Sequence, residues 1–314
     1  MVFVSRRILQ SLVVVLVMSL VVFVGVHLVG DPVHILISDD MTKEEVERFV
    51  RQLGLDRPLH EQYLHFLANA ARGDLGNSFV HGEPALKLIL ERMPATLELA
   101  FAAFLLAVVV GIPLGMYAGL KPESPASRAI MASSILGFSL PTFWVGLMLI
   151  MVFAVMLGWL PSTGRGDFMT WDGLRHLALP AINLALFKMA LVTRLARAGT
   201  REAALQDYVK FARAKGLSPS RVVLVHVLKN ILVPVVTVLG LELGGLIAFS
   251  VVTETVFAWP GMGKLLIDSI QRLDRPVIVA YLVITVLMFI VINLIVDIVY
   301  SMLDPRVRLK EAKA

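Results

Sequence analysis

The sequence predicts an all-α integral membrane protein with six transmembrane helices. Three observations carry that reading. The chain is 57% hydrophobic, with a mean hydropathy of +0.80 and 17% charged residues, against about 25% charged in soluble proteins. Apolar runs long enough to cross a hydrocarbon core of about 30 Å recur along its length. Lys and Arg gather in the segments that a six-span arrangement places on one side. The inner segments (1–7, 119–129, 194–230 and 303–314) hold 16 Lys or Arg against 5 Asp or Glu, and the outer segments (30–94, 159–176 and 253–276) hold 12 against 16. The long outer segment carries little weight, because long loops translocate largely regardless of charge; the inner excess remains.

Composition also excludes functions. With 0 cysteines, neither disulfides nor thiolate chemistry is available. The net charge of +5 fits positive membrane loops, and no segment has the form of a nucleic-acid module. The 7 histidines are scattered, and His60 and His65 have the wrong spacing for a helical metal pair.

Arg6 and Arg7 precede the first apolar run, Ile8 to Val29, and hold the N-terminus in the cytoplasm. It lacks the short apolar region and small-residue cleavage site of a signal peptide, so it reads as an uncleaved span. Residues 1–29 are thus a cytoplasmic N-terminus and first span, and 30–94 a periplasmic helical insert. In that insert Thr42 and Glu45 form a capping box ahead of Val46, Phe49, Val50 and Leu53 at helical spacing, with Gly54 as the stop. A second short helix is expected from Pro58 through Leu67, and a third from Pro84 to before Pro94.

Residues 95–302 form a five-span core. The spans are Ala95–Gly119, Ala129–Leu157, Leu177–Thr193, Ile231–Val252 and Val277–Met302. Gly111, Pro113 and Gly115 mark a kink in the first of these, and Pro141 marks a tilt or break in the second. Trp144 and Trp159 are candidate interfacial anchors. The stretch Glu254–Pro276 reads as re-entrant or surface, and 303–314 as a basic cytoplasmic tail.

The most patterned loop is 194–230. It opens on Arg194, Arg197 and Arg201 and continues through Asp207 to Pro234. Tyr208, Phe211, Ala212 and Lys215 share a face, Gly216 ends that helix, and Ser218 with Pro219 starts another. Two readings fit a basic helix–Gly–helix at the inner face, namely a loop resting on anionic lipid and a docking element for a cytoplasmic partner.

Long stretches of the chain resemble the membrane subunits of binding-protein-dependent ABC importers of the dipeptide, oligopeptide and glutathione group. They are RRIL at the N-terminus, LVGDPV (Leu28–Val33), LGLDRPLHEQY (Leu53–Tyr63), GDLGNS (Gly73–Ser78), ATLEL (Ala95–Leu99), GIPLG (Gly111–Gly115), DYVKFARAKGL (Asp207–Leu217), LVPVVTVLG (Leu232–Gly240), ETVFAWPGMGKLLIDSI (Glu254–Ile270) and NLIVDIVYSMLDPRVR (Asn293–Arg308). The resemblance covers essentially the whole chain. It implies the type I ABC importer permease fold in a bacterial inner membrane. It also implies a second homologous permease chain, two ATPase subunits that use ATP and Mg²⁺, a periplasmic or lipid-anchored binding protein and a peptide substrate. This chain is expected to bind no cofactor and to catalyse no reaction. The resemblance assigns coupling to Ala212, Arg213, Ala214, Lys215 and Gly216. Its Gly register starts the coupling motif at Lys210, Phe211 and Ala212, which makes the literal Glu202-Ala203-Ala204 a decoy. The general pattern has Pro at Lys229; here Pro first follows at Pro234, a departure that peptide-type members share.

Four charges fall within or near spans, and such groups usually face a protein interior. Glu98, Lys188 and Glu242 are candidates for a translocation path; Asp297, near Asn293 and Tyr300, reads as a structural brace. Polar helix packing is the alternative for all four. Pro260–Lys264 imitates a phosphate loop, but Ala258 and Leu265 break the Gly-x-x-x-x-Gly-Lys-Ser/Thr pattern. A permease for a nickel chelate or a sugar, and a secondary transporter, are the alternative functions. The latter calls for an internal repeat or paired broken helices, and neither is clear.

Overall fold

The computed structural model describes residues 13–25, 42–52 and 56–303. Arg6, Arg7, the ends of the first apolar run, the LVGDPV segment, Gly54 and the basic tail lie outside these residues, as do the side chains of Glu45 and Asp297. Among the described residues the regular elements are helical, and one isolated antiparallel bridge joins Asn77 to Pro84. They group into two compact units, residues 1–95 with 260–290 and residues 96–259 with 291–314.

In the first unit α1 (Val13–Gly25) is the described part of the first apolar run. It turns Val13, Leu16, Val17 and Val21 outward and Ser19, Val22 and Phe23 inward. The helix α2 (Lys43–Gln52) starts directly after Thr42, where the capping box places it. Next comes α3 (Leu59–Ala70), which meets α1 through aromatic side chains. The Tyr63 hydroxyl lies 2.9 Å from Ser19 Oγ, and the Phe23 ring lies 5.3 Å from Tyr63 and 6.2 Å from Phe66. The expected break before Pro94 is absent, because α4 runs unbroken from Ala85 to Leu120. A proline removes one N–H from the ladder and crowds the carbonyl four residues back; a membrane helix tolerates this, and one of 36 residues has many other bonds. Two further elements complete the unit, α10 (Met262–Gln271) and the start of α11 (Arg275–Leu303). Buried Asp274 ties this end of the chain to the loop before α4. Its carboxylate accepts from the Ser78 hydroxyl at 2.5 Å and from the Phe79 N–H at 3.0 Å. Ser78 Oγ in turn accepts from the N–H groups of Val80 and His81.

In the second unit α5 (Pro125–Ser139) begins with Pro at its first turn and a Ser124 side-chain cap. Leu140 is extended, as a residue before proline prefers, and α6 (Thr142–Leu149) leaves at a 111° bend. The Pro141 break is therefore real. A π-helical stretch, Ile150–Met156, continues α6. The next helix, α7, extends from Trp171 to Leu205, well past the expected end at Thr193, so Arg194, Arg197 and Arg201 lie on a span helix and not in a loop. After α8 (Asp207–Ala214) and a short π-helical connection, α9 (Leu228–Val256) carries Pro234, near which the axis bends by 41°.

The glycines of α4 are contact residues. Gly111, Gly115 and Gly119 recur every four residues and face α7. A Cβ at Gly115 would lie 2.4 Å from the Thr193 carbonyl oxygen and 2.6 Å from Ala196 Cβ; one at Gly119 would lie 2.7 Å from Thr200 Cβ. Small residues let membrane helices approach this closely. Beside this seam lies a core of Ile112, Met116, Val192, Ala196, Ile231 and Val235.

By length and composition, α4, α7 and α11 can each cross a membrane, and two bent pairs, α5 with α6 and the segments on either side of Leu232–Pro234, bring the number to five. Together with the shorter apolar helix α1, these elements make the chain an all-α integral membrane protein.

Candidate functional site

The loop 206–228 is built around one helix end. At its C-terminus α8 closes with paired bonds from Gly216 N–H to the Arg213 carbonyl at 2.9 Å and from Leu217 N–H to the Ala212 carbonyl at 3.3 Å. Gly216 has φ +76°, the left-handed conformation that this helix ending requires. Leu217 then packs against the core. Ser218 stands at the start of the following turn but makes no side-chain cap bond, while Pro219 occupies the expected first position. The next turns, Val222–Val227, are π-helical where α-helical spacing was expected.

Val209 and Ala212 fix this helix to the unit by packing among Ala203, Val222, Val227 and Ile231. Ala212 is thus a root of the structure. Arg213, Ala214, Lys215 and Gly216 are exposed. Beside them Tyr208, Phe211, Leu224 and Val225 also face outward, and Lys215 Nζ lies 4.6 Å above the Phe211 ring. The result is a rigid knob with apolar and cationic groups interleaved. Tyr208 and Phe211 were visible in the motif; their exposure follows only once Val209 is known to be the buried residue.

The path candidates separate into two pairs. Lys188, 5% exposed, is ion-paired to Glu242 across α7 and α9. Its ammonium also lies 5.4 Å from the Phe187 ring and 5.8 Å from Phe249. Gly245 lies beside the pair, where a Cβ would meet Lys188 Nζ at 3.5 Å in ordinary van der Waals contact. Pairing and aromatic faces offset the cost of burying an ammonium. Glu98 is elsewhere. It accepts from Arg165 Nε at 2.9 Å and from a second guanidinium nitrogen at 2.5 Å, and Arg165 also lies 5.9 Å from the Trp259 ring. For Asp297, only its place on α11 is described.

A buried acid missing from the sequence-derived set is Glu254. The stretch it opens reads as re-entrant or surface, yet α9 continues to Val256 and leaves Glu254 fully buried. Its carboxylate accepts from the Thr96 hydroxyl at 2.8 Å and the Ser250 hydroxyl at 2.9 Å. The Ser250–Glu254 spacing of four was the available signal. Close by, the Asn183 amide donates to the Thr253 hydroxyl at 3.0 Å. Among the described residues, no three His, Asp or Glu side chains gather as a metal site.

These features define a helical membrane subunit with an exposed knob and no converging catalytic groups among the described residues. Residues 111–309 match the model of the binding-protein-dependent transport system inner membrane component, and residues 1–100 match that of its N-terminal region. The chain belongs to this family of integral inner-membrane permease components. The di/tripeptide transport system permease protein DppB of Pseudomonas aeruginosa is 40% identical over 98% of each chain. The oligopeptide transport system permease protein AppB of Bacillus subtilis is also 40% identical, over 97% of this chain and 98% of its own. A solved structure of the MetNI methionine ABC transporter in an inward-facing conformation aligns with a TM-score of 0.56 at 18% identity, over 70% of this chain and 97% of that one. That likeness establishes the fold as an ABC transporter permease fold.

Proposed function

We propose that the chain is one half of the pore of an ATP-driven peptide importer in a bacterial inner membrane. A second homologous permease chain supplies the other half. Two ATPase subunits, which use ATP and Mg²⁺, dock on the knob at Arg213–Gly216, and a periplasmic or lipid-anchored binding protein delivers peptide on the opposite side. Both termini and the segment 194–230, which comprises the end of α7 and the loop after it, are cytoplasmic, and 30–94 is periplasmic. The observation that carries this reading is the knob. Its helix is fixed by Val209 and Ala212 and terminated at Gly216, so a push on Arg213 or Lys215 is transmitted to the core that contains Ile112, Val192 and Ile231. The peptide assignment rests on the similarity to di/tripeptide and oligopeptide permeases.

ATPase closure moves the knob and turns the pore outward; hydrolysis resets it. The chain then acts as a two-state element whose equilibrium nucleotide biases. The Lys188–Glu242 pair supplies opposite charges within the spans, matched to a zwitterionic peptide. Glu98, held by Arg165, positions the loop that follows the bent pair and has a lesser part in any path.

The test is purification through a tag on this chain, then reconstitution. Recovery with a second permease and two ATPase subunits, together with ATP-dependent uptake of labelled dipeptide or oligopeptide, is the expected result. Uptake of a nickel chelate or sugar in place of peptide would overturn the substrate. A homo-oligomer that transports without ATP would overturn the importer reading.

A further inference from the structure

The loop between the π-helical turn and α7 is tightly fixed, yet it turns its largest side chains outward. Three contacts fix it within its unit. Gly164 N–H donates to the Phe257 carbonyl at 2.9 Å, Arg165 is bound to Glu98, and Arg175 donates to the Trp159 carbonyl at 2.9 Å. The tip is a tight turn, 167–170. Both the N–H and the hydroxyl of Thr170 donate to the Asp167 carbonyl, at 3.2 and 2.7 Å, and the same hydroxyl caps α7 by accepting from Gly173 N–H at 3.0 Å. The backbone packs closely here, since a Cβ at Gly173 would lie 2.1 Å from the Asp167 carbonyl oxygen.

At the tip Met169 has φ +61°, a conformation that Gly or Asn adopts at lower cost. The chain places a long apolar side chain there and leaves it 84% exposed. Phe168 is 63% exposed and Trp171 76%. A strained backbone that displays an apolar group points to a use for that group. The occupant follows from continuity. Val155 and Met156 at the end of the span that α6 begins, then Leu157 and Trp159 at the start of the loop, are exposed, so large apolar side chains face outward both where a membrane-crossing segment ends and at the turn that follows it. Trp and Phe at the end of a span, with Asp167, Asp172 and Arg175 beside them, have the composition of the membrane–water boundary.

We infer that the Phe168–Met169–Trp171 turn is a preformed wedge that inserts into the lipid headgroup–acyl boundary and fixes the depth of α7 in the bilayer. The chain has no native cysteine, which makes a direct test simple. Met169→Cys is labelled with an environment-sensitive fluorophore in the intact complex in phosphatidylethanolamine–phosphatidylglycerol vesicles, with the unsubstituted complex as the labelling blank. The expected result is blue-shifted emission that is lost more to nitroxides placed near the headgroup end of the acyl chain than to those near its terminus, and that iodide barely quenches. Aqueous emission quenched by iodide would overturn the inference. Blue-shifted emission insensitive to every lipid nitroxide would overturn it equally, since a protein partner would then cover the turn. Trp171→Cys, outside the strained position, gives the same readout if Met169→Cys does not fold.

Discussion

Gly216 shows how one residue can decide a surface. A Cβ there meets no atom within 4 Å, so a larger side chain causes no clash; the cost lies in the backbone at φ +76°. A β-branched residue in that conformation costs at least about 1–2 kcal/mol, and the chain can recover it by unwinding the end of α8. Gly216→Val is therefore expected to insert normally and keep ATP hydrolysis while uptake falls, as read by parallel ATPase and uptake assays on vesicles. Normal uptake would remove the coupling role. Lys188 obeys a different rule. Lys188→Met leaves the Glu242 carboxylate without its cation, and breaking a buried pair costs up to about 3–5 kcal/mol, less here because Glu242 is partly exposed. Replacing both partners by apolar groups removes that penalty. Thermal unfolding in detergent should show a clear loss for Lys188→Met and substantial recovery for Lys188→Met/Glu242→Leu. If the pair also serves peptide, uptake stays low in the stable double variant.

At the scale of elements, the α4–α7 seam is the contact least tolerant of change. A side chain at Gly115 meets a backbone oxygen and a backbone nitrogen of α7, neither of which can move without moving the helix. Gly115→Leu is expected to cost more than the roughly 1–3 kcal/mol typical of overpacking and to abolish recovery of monodisperse protein in size-exclusion chromatography. Gly137→Ala, where nothing lies within 4 Å, should behave as the parent. A Gly115→Leu variant of parental stability would mean that α4 and α7 do not pack in this register. The sequence alone reads Gly111 and Gly115 as kink formers because spacing within one helix does not reveal what faces it. The same limit hides the burial of Glu254. A proline signal is two-valued for a related reason. Pro141 ends a helix because Leu140 is extended, whereas Pro94 lies inside α4, and only the surrounding packing distinguishes them. Apolar run lengths, the Thr42 start of α2, the Gly216 stop and the Lys188 and Glu242 charges are local properties, and each was legible.

For the whole molecule, the sidedness of the membrane is what converts a helical bundle into a directional machine. The segments read as inner carry an excess of Lys and Arg, and much of it sits on the last turns of α7, on α8 and at its C-cap, at Arg194, Arg197, Arg201, Lys210, Arg213 and Lys215. Positively charged segments flanking spans resist translocation, so this end of α7 is expected in the cytoplasm. Since α7 is a single unbroken helix, its Trp171 end then lies at the opposite face. The absence of cysteine allows each position to be probed alone. Lys215→Cys should react with a membrane-impermeant maleimide only in inside-out vesicles, and Arg72→Cys, in the segment before α4, only in right-side-out vesicles or intact spheroplasts. Both substitutions fall on exposed residues, so in vesicles stripped of ATPase subunits, which would otherwise cover Lys215, protection reports the membrane and not the fold. The reverse pattern would invert the map and place the knob where no cytoplasmic ATPase can reach it. Reaction of both positions from one side would require an odd number of spans fewer or more between them, which the α5–α6 bent pair would supply by entering and leaving the membrane on the same face.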